Sequence, residues 1–404
     1  MEGWKRTYWT VWGANLITAI GMMSFLPFFP AHLEDLGMSD RDQIAAWAGV
    51  IYGAAPLTAA FMSPIWGALG DRFGRKLMVI RAMGAIAIFV GLMAFANSPL
   101  QLLALRMGQG LFSGFIPPSM TLVSVAAPPE KQGSVGGSLQ TALAIGAILG
   151  PVLGGEISEL FSVRAVFVGV SVLTTISALL VLVFAREDAS HRQRNEGETS
   201  VGKVLRGTLS DFRSVFASRD LRMSLLIVFW IQFGIGSTNP ILELHVRDLA
   251  SVAEAVTLTS VLFSVMAAVN LPAMPLWGRY GDRVGHRRAL LYCTVASGVA
   301  LLLHAFAPTF AWLLGARVLL GASMAGVAPC AFGLAAAEIS VDRRGSAFGT
   351  VFSARTLAIA VAAGLGGYGS RFLGVPGLFL LGGLLVLCSA WGLLGRRPAV
   401  ESGH

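Results

Sequence analysis

The chain has 404 residues, of which 55% are hydrophobic and 13% charged, about half the charged share of a soluble domain. That excludes an ordinary soluble protein and indicates a polytopic integral membrane protein. The formal net charge of +8 does not indicate nucleic acid as a partner, because the cations sit in short segments between apolar runs.

Crossing a bilayer takes about 20 apolar residues of helix. Twelve segments qualify, near residues 8–31, 44–66, 77–96, 101–125, 134–156, 164–185, 222–245, 254–277, 288–307, 310–336, 345–368 and 374–395. Lys5 and Arg6 precede a run too long for a signal-peptide core, with no small-residue cleavage site, so that run is read as the first span. The expected organisation is a six-helix bundle over 1–185, a polar linker over 186–221 and a second six-helix bundle over 222–404. Placing Lys5 and Arg6 in the cytoplasm puts 23 of the 30 Lys and Arg on that side. The outer loops hold Arg41, Arg164, Arg247 and Arg371, and the spans hold Arg106, Arg317 and Arg355. Both termini are therefore expected to be cytoplasmic. Within the linker, Val201, Val204, Leu205, Thr208, Leu209, Phe212, Val215 and Phe216 recur at helical spacing. They predict a basic amphipathic helix on the membrane surface, tethering the two halves.

The two halves repeat one another. Trp66-Gly67-Ala68-Leu69-Gly70-Asp71-Arg72-Phe73-Gly74-Arg75-Lys76 returns as Trp277-Gly278-Arg279-Tyr280-Gly281-Asp282-Arg283-Val284-Gly285-His286-Arg287-Arg288, 211 residues later. Each is read as a short polar loop between spans, with glycines for a tight turn. Arg106 matches Arg317 and Pro64 matches Pro275 at the same offset. A duplicated unit in one orientation implies parallel repeats about an axis along the membrane normal, an architecture that rocks about a central site and moves a solute.

Three stretches carry a resemblance. Gly67 to Lys76 resembles the signature of the major facilitator superfamily between its second and third spans. Leu102-x-x-x-Arg106-x-x-Gln109-Gly110 resembles that family's second motif. Gly146-x-x-x-Gly150-Pro151-x-x-Gly154-Gly155 resembles the antiporter motif of the drug:proton antiporter branch. Trp47-Ala48-Gly49 and Gly67 to Asp71 are similar to the bacterial multidrug efflux members. The resemblance implies an all-α membrane fold of twelve transmembrane helices in two pseudo-symmetric six-helix bundles. It implies a secondary active transporter, not an enzyme, exporting drug-like amphiphiles in exchange for protons by alternating access. The setting it implies is a monomer in a bacterial inner membrane, without cofactor or metal.

Each motif also has a physical meaning. A helix N-terminus presents unpaired N–H groups and about half a positive charge. Asp71 is expected to meet the start of span eleven at Gly345 and Ser346, and Asp282 the start of span five at Gly133 and Ser134. Arg72 and Arg75 supply cations beside them, with Arg75 pairing Glu130 and Arg287 pairing Asp342. These contacts would latch the inner gate; the plainer alternative is a static cluster that fixes topology. The stripe Gly146, Gly150, Pro151, Gly154 and Gly155 permits close packing and a bent seam between the halves, or else ordinary packing. Gln109 and Ser113 are placed to solvate Arg106. The resemblance gives Arg106, with Gln109 and Gly110, a part in proton coupling; the plainer alternative is a buried arginine bonded to helix carbonyls.

No Asp or Glu falls in the middle of a span. A proton carrier must change charge and arginine does not, so either Glu156 or Glu243 carries the proton or the coupling is not by a side-chain carboxylate in the cavity. His32 and His245, at the outer ends of spans one and seven, are further titratable groups or else interfacial polar residues. The cavity is expected to be lined by Asn15, Tyr52, Phe112, Ser113, Gln140, Trp230, Gln232, Asn239, Asn270 and Arg355. Such an apolar wall with scattered amides suits bulky amphiphiles. Uptake of a small polar solute and a non-transporting membrane sensor are the competing functions. No phosphate-binding loop, metal spacing or nucleophile elbow supports an enzyme.

Overall fold

Helix boundaries follow from caps and glycines placed at the same points of both halves. The structure, a computed structural model, describes residues 3–128, 131–187, 219–338 and 344–394. Asp40 caps span two (Arg41–Phe73) by accepting from the N–H groups of Asp42 and Gln43, satisfying two of its orphan donors. Ser98 and Thr309, again 211 apart, do the same for spans four and ten. Gly74 (φ 100°) and Gly285 (φ 90°) are the single-residue breaks after spans two and eight, in a region that side chains avoid.

Among the described residues, ten segments are long and apolar enough to cross a membrane. The last of these is two crossings, because the run Arg344–Leu394 bends at Gly374 (φ 66°) ahead of Pro376. Span four is absent from the ten because it is broken into Pro99–Phe112 and Ile116–Ala126. Counting both makes twelve crossings, all helical. Span seven comprises Arg219–Thr238, a tight turn at Asn239–Ile241 and Leu242–Val246. Span one has the same form, with Gly3–Phe25, a turn at Leu26–Phe28 and a tip at Phe29–Asp35.

The broken span differs from the continuous helix expected over 101–125. Gly114 takes φ 110°, and Pro117 and Pro118 open the next segment, where a missing N–H costs nothing. Span ten breaks at the equivalent place, between Phe310–Met324 and Val327–Glu338. At each break a helix-end carbonyl is left over, and a tryptophan fills it. Trp66 Nε1 donates to Leu111 O at 2.6 Å, and Trp277 Nε1 to Ala322 O at 2.7 Å. Donors and acceptors are both 211 apart, so the duplication read in the letters is also present in the hydrogen bonds.

The segments read as polar loops at 66–76 and 277–288 are a further correction. Span two runs helical to Phe73 and span eight (Val252–Val284) to Val284. Glycine and aspartate suggested a turn, but continuous helix satisfies the backbone until a single glycine reverses it. The linker helix over 201–216 lies outside the described residues.

Candidate functional site

The N-terminus, Arg75, Lys76 and Arg186 line one cavity, which defines the proximal end of the bundle. The loops after spans one and seven lie at the opposite, distal end. There the halves are held together. Arg41, from the first half, donates to both carboxylate oxygens of Asp248, at 2.7 and 2.5 Å, and to Leu244 O at 2.8 Å. Arg247, from the second half, bonds Glu34 of the first and Glu243 of its own helix, each at 2.5 Å. Burial opposes the charge of Arg247, and the hydrogen bonds and charges of Glu34 and Glu243 more than reverse it, holding this guanidinium above its ordinary range. Thr257 of span eight donates to Glu159 of span five at 2.7 Å.

Beneath this clamp run two glycine seams. A Cβ on Gly53 of span two would stand 2.5 Å from Ala360 O of span eleven, and one on Gly49 would strike Ala363 and Gly367. A Cβ on Gly155 of span five would stand 2.6 Å from Ser260 Oγ of span eight. At Gly49 and Gly53 glycine is required because the backbones touch, whereas at Gly155 the close neighbour is a serine side chain. Following the same face of span two towards the proximal end, Leu57 is 38% exposed and Phe61 71%. Gln140 and Thr141, proximal to Gly155 on span five, are exposed as well. The halves are therefore sealed distally and splayed proximally. Arg355 is exposed one turn from Ile359 and Ala360, which pack on spans seven and two. It sits where the seam ends and the open space begins.

At the roof of that space lies a buried polar network. Arg106 is 2% exposed and donates to Ile51 O at 3.2 Å, Tyr52 O at 3.1 Å and Gln109 Oε1 at 2.6 Å. Gln109 therefore solvates it as expected, while two span-two carbonyls take the place expected for Ser113. Its guanidinium also faces the rings of Phe25 and Phe29 at 5.5 and 5.4 Å, a favourable cation–π geometry. Arg317 is 1% exposed and reaches Asn239 Oδ1 at 3.4 Å and Met266 Sδ at 3.2 Å. The Tyr52 hydroxyl faces Asn239 across the halves. Two repeat-related arginines thus converge on a Tyr–Asn bridge. Gly110 lets span four touch span two at Ala55, and Gly321 lets span ten touch span eight at Met266, once more at the 211 offset.

Other predicted residues stand elsewhere. Asn15 is fully buried and accepts from Ser119 Oγ at 3.0 Å between spans one and four, away from open space. Phe112 stacks on Phe89 at 6.0 Å beside Trp66. Ser113, Trp230 and Gln232 are half-buried, and Asn270 is tied to Gly321 O at 3.1 Å. Gly146, Gly150 and Gly154 pack on Ala19, Ile20, Met23 and Ser24 of span one. Three glycines of the antiporter stripe thus pack within one half and Gly155 packs on the other, with Pro151 buried in the same helix. Of the two acids proposed as proton carriers, Glu156 is exposed and Glu243 is 1% exposed. His32 and His245 are buried instead of interfacial, each against a phenylalanine, Phe167 and Phe379.

At the proximal end Gly67 is exposed, and Gly70 is buried against Met78 and accepts the N–H of Gly74 at 3.0 Å. The N–H groups of Arg75 and Lys76 both bond the Glu187 carboxylate, at 2.7 and 3.1 Å. Arg287 donates to Leu393 O at 3.0 Å, within its own half. Asp282 is exposed and meets His286 at 3.4 Å. Glu130, Asp342 and the side chains of Asp71, Arg72, Ser134 and Ser346 lie outside the described residues. Sequence reasoning missed the distal clamp and Glu187. The signal for the clamp was present in the paired loops, where Glu34 and Arg41 face a loop carrying Glu243, Arg247 and Asp248.

A twelve-helix bundle, duplicated at a fixed offset and sealed at one end only, is the frame on which the comparisons bear. The family model described as Major Facilitator Superfamily matches residues 11–270 and 225–404. The chain belongs to that superfamily. It is 31% identical over 404 residues to "Multidrug resistance protein MdtG" of Serratia proteamaculans, covering 98% of this chain and 95% of the relative. It is 34% identical over 302 residues to "Multi-drug resistance efflux pump PmrA" of Streptococcus pneumoniae, covering 75% and 73%. In fold it is similar to the nucleoside transporter NupG, with a TM-score of 0.77 at 14% identity over 98% of both chains. A multi-pass member of the Major Facilitator Superfamily is a transporter of small molecules.

Proposed function

We infer that the chain exports drug-like amphiphilic compounds in exchange for protons, by alternating access between its two halves. The observation that carries this reading is the distal seal over a proximally open space with Arg355 at its edge. The names of relatives covering 98% and 75% of the chain support the direction and the type of cargo. The protein works as a monomer in a bacterial inner membrane, with both termini and the proximal end in the cytoplasm. On this reading the present form is inward-open, with Asp282 exposed beside His286. In the outward-open form Asp71 and Asp282 close on the starts of spans eleven and five, and Gly49 and Gly53 part from span eleven.

Purified protein in liposomes tests the reading. With inverted orientation and an acidic lumen, a fluorescent amphiphile is expected to accumulate inside and to leave when the gradient is collapsed. A difference of about 2 pH units is worth about 2.7 kcal/mol, which caps one-for-one exchange of a neutral compound at about a hundredfold accumulation. Equilibration that ignores the gradient would instead favour facilitated passage, and ligand binding without flux would favour a sensor.

A further inference from the structure

One acid at the distal clamp is wholly enclosed. The Glu243 side chain has 0% exposure, against 37% for Glu34 and 44% for Asp248. Its Oε1 bonds Arg247, its carboxylate faces the backbone of Ala31 in the tip of span one, and Oε2 forms no hydrogen bond of normal geometry. A dry, half-bonded carboxylate is a costly ion. Arg247 is its cation, and that guanidinium is shared with Glu34 from the opposite half. Two carboxylates therefore compete for one positive charge when the mouth is shut.

The remaining charges around the clamp do not relieve this. From span two, Arg41 is occupied by Asp248 and Leu244 O. From span eight, Glu254 is exposed and accepts from Ser251. His245, two residues along the same helix, turns to Phe379 of span twelve. Arg247 and Glu34 are the charged groups that bear on Glu243.

We propose that Glu243 binds a proton as the distal mouth shuts and gives it up as the mouth opens. The proton comes from water at the distal face and adds to a carboxylate oxygen, making the neutral acid. No other covalent bond changes. Arg247 then keeps Glu34 as its ionic partner, and the acid carbonyl still accepts from it. When the halves part, Glu34 and Arg41 leave with the first half, water enters, and Glu243 returns to an ionised pair with Arg247. Closure is thus fully favoured at low pH and loses that contribution as pH rises. Because the proton is taken from distal water and returned to it, it gates the mouth and is not itself exchanged across the membrane, so the inference does not depend on the exchange reading.

The test measures the distance between spin labels at Ser39 and Ser251, across the mouth, in full-length protein with Cys388 replaced. The native chain should shift from closed to open as pH is raised. Glu243→Gln, which imitates the neutral acid at equal size, should stay closed with no pH response. Glu34→Gln removes the competing carboxylate and should move the midpoint about one pH unit lower. A Glu243→Gln chain that keeps the native pH response overturns the proposal, as does a native mouth indifferent to pH. If the native chain shows no gradient-driven export yet keeps a mouth response that Glu243→Gln abolishes, the exchange reading falls and this inference stands.

Discussion

Replacing Gly49 with leucine should abolish transport in a protein that still folds. The new side chain would drive into Ala363 and Gly367 of span eleven, where span two closes the distal seam. Overpacking of this kind costs up to about 3 kcal/mol, and here the whole of it falls on one conformation. The open-to-closed ratio then changes by about a hundredfold, and export falls in proportion. The same substitution inside one half should behave differently. Gly150→Leu would strike Ile20 O and Met23 of span one, so the cost appears as lost stability. Thermal unfolding beside initial transport rates separates them. Gly49→Leu should unfold within a few degrees of the native protein, and Gly150→Leu well below it. Equal losses of stability for both would mean that the span two–span eleven contact is permanent.

Arg106→Lys carries the second largest expected effect. The guanidinium reaches Ile51 O, Tyr52 O and Gln109 together, which a fork of five donors does and a single ammonium does not. Span four would lose its tie to the span that bears the seam. At least a tenfold fall in export rate is expected, since loss of charge-assisted bonds of about 1.5–3 kcal/mol each more than suffices. Arg317→Lys should cost less, because its contacts to Asn239 are 3.4 Å long. Rates measured at equal protein in the membrane decide between this and a symmetric role, in which the two substitutions would be equivalent.

Much of the fold was legible because a duplicated sequence states its own symmetry. The offset of 211 that pairs Trp66 with Trp277 also pairs their hydrogen bonds. Helix faces were not legible. A helix that is apolar all round carries no amphipathic signal, so letters alone placed Asn15 in the cavity and Gly146, Gly150 and Gly154 between the halves. The burial of Glu243 was hidden for a related reason. Its position at a span end gives no sign of burial in the letters, whereas the tips of spans one and seven fold over each other and exclude water. Arg41 and Arg247 looked like topology markers because a cation count gives no partner, and their partners lie more than 200 residues away.

The central claim is that the halves seal one end while opening the other. Two distances in the same protein test it, one across the distal mouth at Ser39 and Ser251, the other across the proximal end at Gly137 and Arg279, during turnover under a proton gradient. The account predicts that they move in opposition, the proximal pair approaching whenever the distal pair separates. Distances that grow and shrink together, or a distal pair that never separates while export continues, would contradict it.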